Sequence, residues 1–107
     1  MARGKVVPTI DDDVKAVEEI LHAYKKSHPR ARTKSYRQNS GSIRLRIIDP
    51  GFAEMDRAVR HDQIWGLLRQ LDKDVISQIT VVLLLTPAEA KTSFASMDFD
   101  SPVPSDL

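Results

Sequence analysis

Seven residues, Ser42 to Ile48, constrain this chain more than any others. Ile43, Leu45 and Ile47 alternate with Arg44 and Arg46. A period of two is the signature of a strand with one face buried and one face polar. A buried face needs a cover, and the sequence supplies two amphipathic helices. In the first, Val14, Val17, Ile20, Leu21 and Tyr24 recur at helical spacing. Thr9 is the expected N-cap, with Asp12 three residues on in the manner of a capping box. Asp11, Asp12 and Asp13 complement the dipole of the first turn, Lys25 and Lys26 close the last one, and Pro29 ends the helix. The second helix is expected from about Val59 to Leu71, with Ile64, Trp65, Leu67, Leu68 and Leu71 on one face and Gly66 as a small blemish.

The remaining elements follow from turn chemistry. Residues 32–37, RTKSYR, read as a polar strand. The stretch QNSGS then turns the chain, with Asn39 and Gly41 able to take positive φ, so the two strands form an antiparallel hairpin. Asp49-Pro50-Gly51 ends the second strand, and Asp72 to Asp74 makes a polar turn. Ile76 to Leu85 reads as a strand covered on one or both faces. Thr86, Pro87 and Glu89 fit the N-cap, N1 and N3 positions of a short helix. The order is α-β-β-α-β-α, an α+β sandwich with a three-stranded mixed sheet. The βαβ portion is expected to cross over in the right-handed sense. Both main helices are expected on the apolar face, with the other face open or partly covered.

A length of 107 residues suits one domain, expected over residues 9–95. Residues 1–8 read as a flexible leader. Residues 96–107, with three Asp, two Pro and three Ser, read as a disordered acidic tail. The sequence has no cysteine, which removes disulfides, thiolate metal sites and cysteine nucleophiles. The N-terminal stretch has no apolar h-region, and the longest apolar run, Val81 to Leu85, is far too short to span a bilayer. The expectation is a cytoplasmic protein with no membrane partner.

The net charge of +1 hides an asymmetry. Residues 1–47 carry eleven Lys/Arg against five Asp/Glu, a balance of +6, and residues 48–107 carry five against ten, a balance of −5. No acidic residue lies between Glu19 and Asp49, where Lys25, Lys26, Arg30, Arg32, Lys34, Arg37, Arg44 and Arg46 all fall. Such a stretch is the footprint of an anionic partner. Arg44 and Arg46 share a strand face that Lys34 or Arg32 can extend, and Tyr36 can stack on a base. The same cations equally serve to solubilise an exposed face and blunt an edge strand. No P-loop, dinucleotide fingerprint, nucleophile elbow or HExxH occurs. Asp11, Asp12 and Asp13 splay around a helix and cannot converge on one ion. An enzyme would need Arg60, His61 and Asp49 to converge in a pocket. No catalytic residue, metal ligand or cofactor is assigned.

Residues 48–71 resemble the BolA family. Phe52 follows the strand IRLRIID, Arg60 and His61 come eight residues later, and Ile64-Trp65 and Leu68 continue the helix. Leu85-Thr86-Pro87-Ala88-Glu89 sits where BolA proteins start a further helix. The resemblance implies a class II KH-like fold and a binding role toward nucleic acid or monothiol glutaredoxins. With glutaredoxins it implies a shared iron–sulfur cluster, held by a His near the last strand and a His or Cys in the hairpin loop. This sequence has neither: Ser77 and Thr80 lie near the first place, and QNSGS is the loop. Asp62 and Glu54 stand where the family usually has Arg and Gly. The expectation is therefore a non-catalytic domain contacting DNA, RNA or a regulatory protein. Its candidate residues are Lys34, Tyr36, Arg37, Arg44, Arg46, Phe52, Arg60 and His61. The alternative is an adaptor for a glutaredoxin-like or other partner that supplies no cluster ligands. Oligomeric state is left open.

Overall fold

The computed structural model describes residues 11–101. Helix α1 (Asp12–Ser27) leads into strands β1 (Arg32–Asn39) and β2 (Ser42–Ile48). A short 3-10 helix (Pro50–Glu54), α2 (Arg57–Leu68) and the one-turn α3 (Lys73–Ile76) connect to β3 (Ile79–Leu85). Two short helices, α4 (Pro87–Thr92) and α5 (Phe94–Asp100), follow. The expected α+β order therefore holds, with α3 and α5 added.

The sheet order is β1-β2-β3, antiparallel across the hairpin and parallel across the βαβ unit. Alternation in β2 does what its period requires: Ile43, Leu45 and Ile47 are fully buried, and Arg44 and Arg46 lie on the opposite face. The core packs Val17, Leu21 and Tyr24 of α1 and Ile64 and Leu68 of α2 against Ile43, Leu45, Ile47 and Leu84 of the sheet. Val14, Ile20, Trp65, Leu67 and Leu71 are partly buried around it. The parallel register places Val81 beside Arg44, Leu83 beside Arg46 and Leu85 beside Ile48, on the face away from α1 and α2. This is why β3 is apolar on both sides, where an exposed strand would alternate.

Several expected boundaries move. Asp11, not Thr9, caps α1: its carboxylate accepts from the Val14 amide. Thr9 and the leader at 1–8 lie outside the described residues. The hairpin turns without any residue at positive φ. Asn39 instead accepts the Gly41 amide on its side-chain oxygen, an Asx turn, and the register shifts between Arg37 and Asn39. Residues 73–76, read as turn and strand, form α3 because Val75 is pulled into the core. Residues 96–100, read as disordered, belong to α5, and residues 102–107 lie outside the described ones.

Asp11 has a second task. It pairs with Arg37 of β1, whose guanidinium also reaches Gln78. That hydrogen bond from Arg37 is the main reason the Asp11 carboxyl is held at about 2. Asp11→Ala should cost about 1–2 kcal/mol, the range for losing an N-cap carboxylate, read as a lower urea midpoint at unchanged slope.

Candidate nucleic-acid interface

The candidate residues fall into three groups. Lys34, Tyr36, Arg44 and Arg46 share the sheet face opposite α1 and α2. Arg37 points the other way, toward the start of α1. Phe52 and Arg60 are interior, and His61 is half-buried on α2.

The sheet face is covered by α5. Phe99 is fully buried against it, edge-on to Tyr36 with ring centroids 4.9 Å apart. The Arg46 guanidinium lies 4.7 Å from the Phe99 ring centroid. Tyr36 donates its hydroxyl to the Phe99 carbonyl at 2.8 Å. Asp98 pairs with Arg44 at 3.0 Å, and Asp100 pairs with Arg46 at 2.8 Å and Lys34 at 3.2 Å. Arg46 donates to the Ser96 hydroxyl at 3.0 Å. Hydrogen bonds from Arg46, the strongest influence, and from Lys34 hold the Asp100 carboxyl below its ordinary value. Lys34, Arg44 and Arg46 are thus on one surface, and an acidic segment of the same chain already neutralises them. Nothing local marked that segment: its partners lie fifty or more residues upstream.

The attachment of α5 is modest. Burying a Phe side chain contributes about 1.5–3 kcal/mol. The two carboxylates are half exposed, and pairs of that kind contribute about 0–1 kcal/mol each. A seven-residue helix is not stable alone.

A second basic surface remains open. Lys25 and Lys26 in the last turn of α1, together with Arg30 and Arg32, are exposed. Among the described residues no carboxylate pairs with Lys25, Lys26, Arg30 or Arg32. His22, Lys25, Lys26 and Pro29 line a concavity of about 330 Å³. His22 also lines an adjoining one of about 400 Å³ with Glu18, Leu21, Thr33, Lys34 and Ser35. The second is a groove between α1 and the edge strand β1, and His22 is common to both.

Arg60 and Phe52 have other work. The Arg60 guanidinium lies 5.5 Å from the Phe52 ring centroid. It pairs with Glu89 at 2.7 Å and donates to the Leu84 carbonyl at 3.0 Å and the Met55 carbonyl at 3.1 Å. Glu89 also closes the capping box with Thr86 that starts α4. Asp49, the other carboxylate considered for an enzyme, is buried, accepting from the Tyr24 hydroxyl and the Gly51 amide. Burial, with Asp49 beside it, pushes the Tyr24 phenol well above its ordinary value. Asp49 and Arg60 are therefore each committed to internal partners.

Ser42 of the hairpin and Thr80 of β3 are hydrogen-bonded to one another. The hairpin end and the last strand, where the family resemblance implies cluster ligands, do meet in space. They meet through two hydroxyls, and an ordinary iron–sulfur site needs thiolate or imidazole. The residues present do not fit that group. Among the described residues no three His, Cys, Asp or Glu are grouped to hold a metal ion, and no helix is long and apolar enough to cross a membrane.

No family model matches the sequence, and no curated protein matches it. Among solved structures, BolA1 from Arabidopsis thaliana matches with a TM-score of 0.51 at 19% identity, over 75% of this chain and 98% of that one. Together with the element order and the mixed sheet, this match shows that the chain has a BolA-like α+β fold.

Proposed function

We propose that this BolA-like domain binds nucleic acid, with single strands as the favoured form, along the groove between α1 and β1. The observation that carries the reading is the exposed pair Lys25 and Lys26 lining the concavity that shares His22 with that groove, followed by exposed Arg30 and Arg32, none of the four with a carboxylate partner among the described residues. Backbone phosphates are the ligand such a surface fits, because each neutralised phosphate releases a counterion. The groove offers Thr33, Ser35 and His22 as hydrogen-bonding groups and lacks a GXXG loop, so shape and charge dominate over base reading.

The test is fluorescence anisotropy with a labelled dT15 oligonucleotide from low to moderate salt. Binding should weaken with a slope of about −0.7 per phosphate contacted. Lys25→Glu with Lys26→Glu should lower affinity by about ten-fold or more and flatten the slope. Absence of binding at low salt would remove the reading.

A second reading, a protein-interaction adaptor, is favoured by one observation. Phe94 and Met97 stand 84% and 51% exposed on the outer side of α5. Recovery of a defined protein partner that survives nuclease and is lost with Phe94→Ser would support it.

A further inference from the structure

We propose that α5 is a built-in competitor of nucleic acid. In this reading the sheet face of Lys34, Tyr36, Arg44 and Arg46 is a second phosphate-binding surface, closed until α5 leaves. The inference rests on the nucleic-acid reading above and extends it to a surface and a mode of control.

Three observations carry it. First, α5 presents to the face the chemistry a single strand would present. Asp98 and Asp100 put anionic oxygens on Arg44, Arg46 and Lys34, and Phe99 puts a ring against Tyr36. A nucleic acid offers phosphates and base rings to the same groups. Second, α5 leaves the face incompletely satisfied. Under α5 the Arg44 and Arg46 side chains are only 19% and 12% exposed, yet the Arg44 Nε has no partner, so one donor stays unused while α5 is docked. Third, the cover is lightly attached. It is a seven-residue helix joined to α4 through the single residue Ser93, held by one buried ring and half-exposed carboxylates. Lys34 pairs with Asp100 on this face, while its neighbours Thr33 and Ser35 line the open groove on the α1 side of the same edge strand, so the two surfaces are separated only by β1. Phosphates that cross the edge strand compete with Asp100 for the Lys34 ammonium group.

The experiment uses the full chain and the same dT15 titration. Asp98→Asn with Asp100→Asn should raise affinity about ten-fold and steepen the salt slope by about 1.4, the increment for two further phosphates on a single strand. Phe99→Ala, which leaves net charge unchanged, should also raise affinity. Asp62→Asn with Asp72→Asn changes net charge equally at exposed positions away from the face and should do much less. Adding Arg44→Gln and Arg46→Gln to the Asp98/Asp100 variant should abolish the gain. In the wild-type chain, oligonucleotide should speed hydrogen exchange across residues 94–101. If wild type binds through Lys25 and Lys26 but the Asp98/Asp100 and Phe99 variants gain no more than the Asp62/Asp72 control, α5 is a fixed part of the fold. The inference is then overturned while the nucleic-acid reading stands. If no variant binds at low salt, both fail together.

Discussion

Phe52→Ala should lower the unfolding free energy by about 3–5 kcal/mol, the cost of truncating a fully buried Phe, and leave the oligonucleotide affinity of the folded protein unchanged. The ring has no solvent exposure. It packs 6.4 Å from the Tyr24 ring, and the Arg60 guanidinium lies over it at 5.5 Å. Truncation therefore opens a cavity under two polar groups whose positions depend on the ring. Domains of this size have about 5–15 kcal/mol in total, so the variant should be near the limit of folding at 37 °C. Phe52→Leu keeps most of the volume and should cost roughly 1–2 kcal/mol. Urea unfolding at constant slope measures both. A loss below about 1 kcal/mol, or a ten-fold affinity loss in protein that remains folded, would make Phe52 a contact residue instead of a core residue.

This outcome bears on how much of the molecule the sequence revealed. Elements with strong local periodicity were legible: the Ile43/Leu45/Ile47 alternation and the Val17/Leu21/Tyr24 stripe predict burial that the fold has. The hairpin and the helix start at Thr86, Pro87 and Glu89 are legible for the same reason, since each is set by residues within a few positions. Pairings distant along the chain were not. Arg60 looks like a surface cation until β3 and α4 bring the Leu84 carbonyl and Glu89 to it. Residues 96–100 look like tail because two carboxylates dilute their apolar content, and only Arg44 and Arg46 make them an asset. The candidate site was legible as a charge excess between Glu19 and Asp49. Its division into a covered face and an open groove was not, because that depends on which cations find carboxylates in three dimensions.

The pair between Arg60 and Glu89 gives the second large effect, with a sign that can be worked out in advance. Glu89→Ala strands a guanidinium that is only 4% exposed. Leaving a buried charge without its partner costs about 3–5 kcal/mol, and the solvent that reaches the Glu89 side should hold the loss to the lower end, about 3 kcal/mol. Arg60→Ala removes the charge itself but also the bonds to the Leu84 and Met55 carbonyls. Arg60→Met with Glu89→Met should recover part of the loss, since no charge is then buried. Recovery stays partial because Glu89 also accepts the Thr86 amide in the capping box. The hydrogen bond from Arg60, aided by the Thr86 amide, holds the Glu89 carboxyl at about 2, down from an ordinary 4.5. A carboxyl depressed in the folded state stabilises the fold at pH values above its unfolded pKa, and that contribution is lost as pH falls through the folded one. Wild type should therefore lose stability progressively from about pH 4.5 toward pH 2, with Asp11 adding to the same fall. Glu89→Ala should be weaker at pH 7 and show a shallower acid dependence, so the two curves converge at low pH. Curves that stay parallel down to about pH 2 would mean the pair contributes nothing through charge.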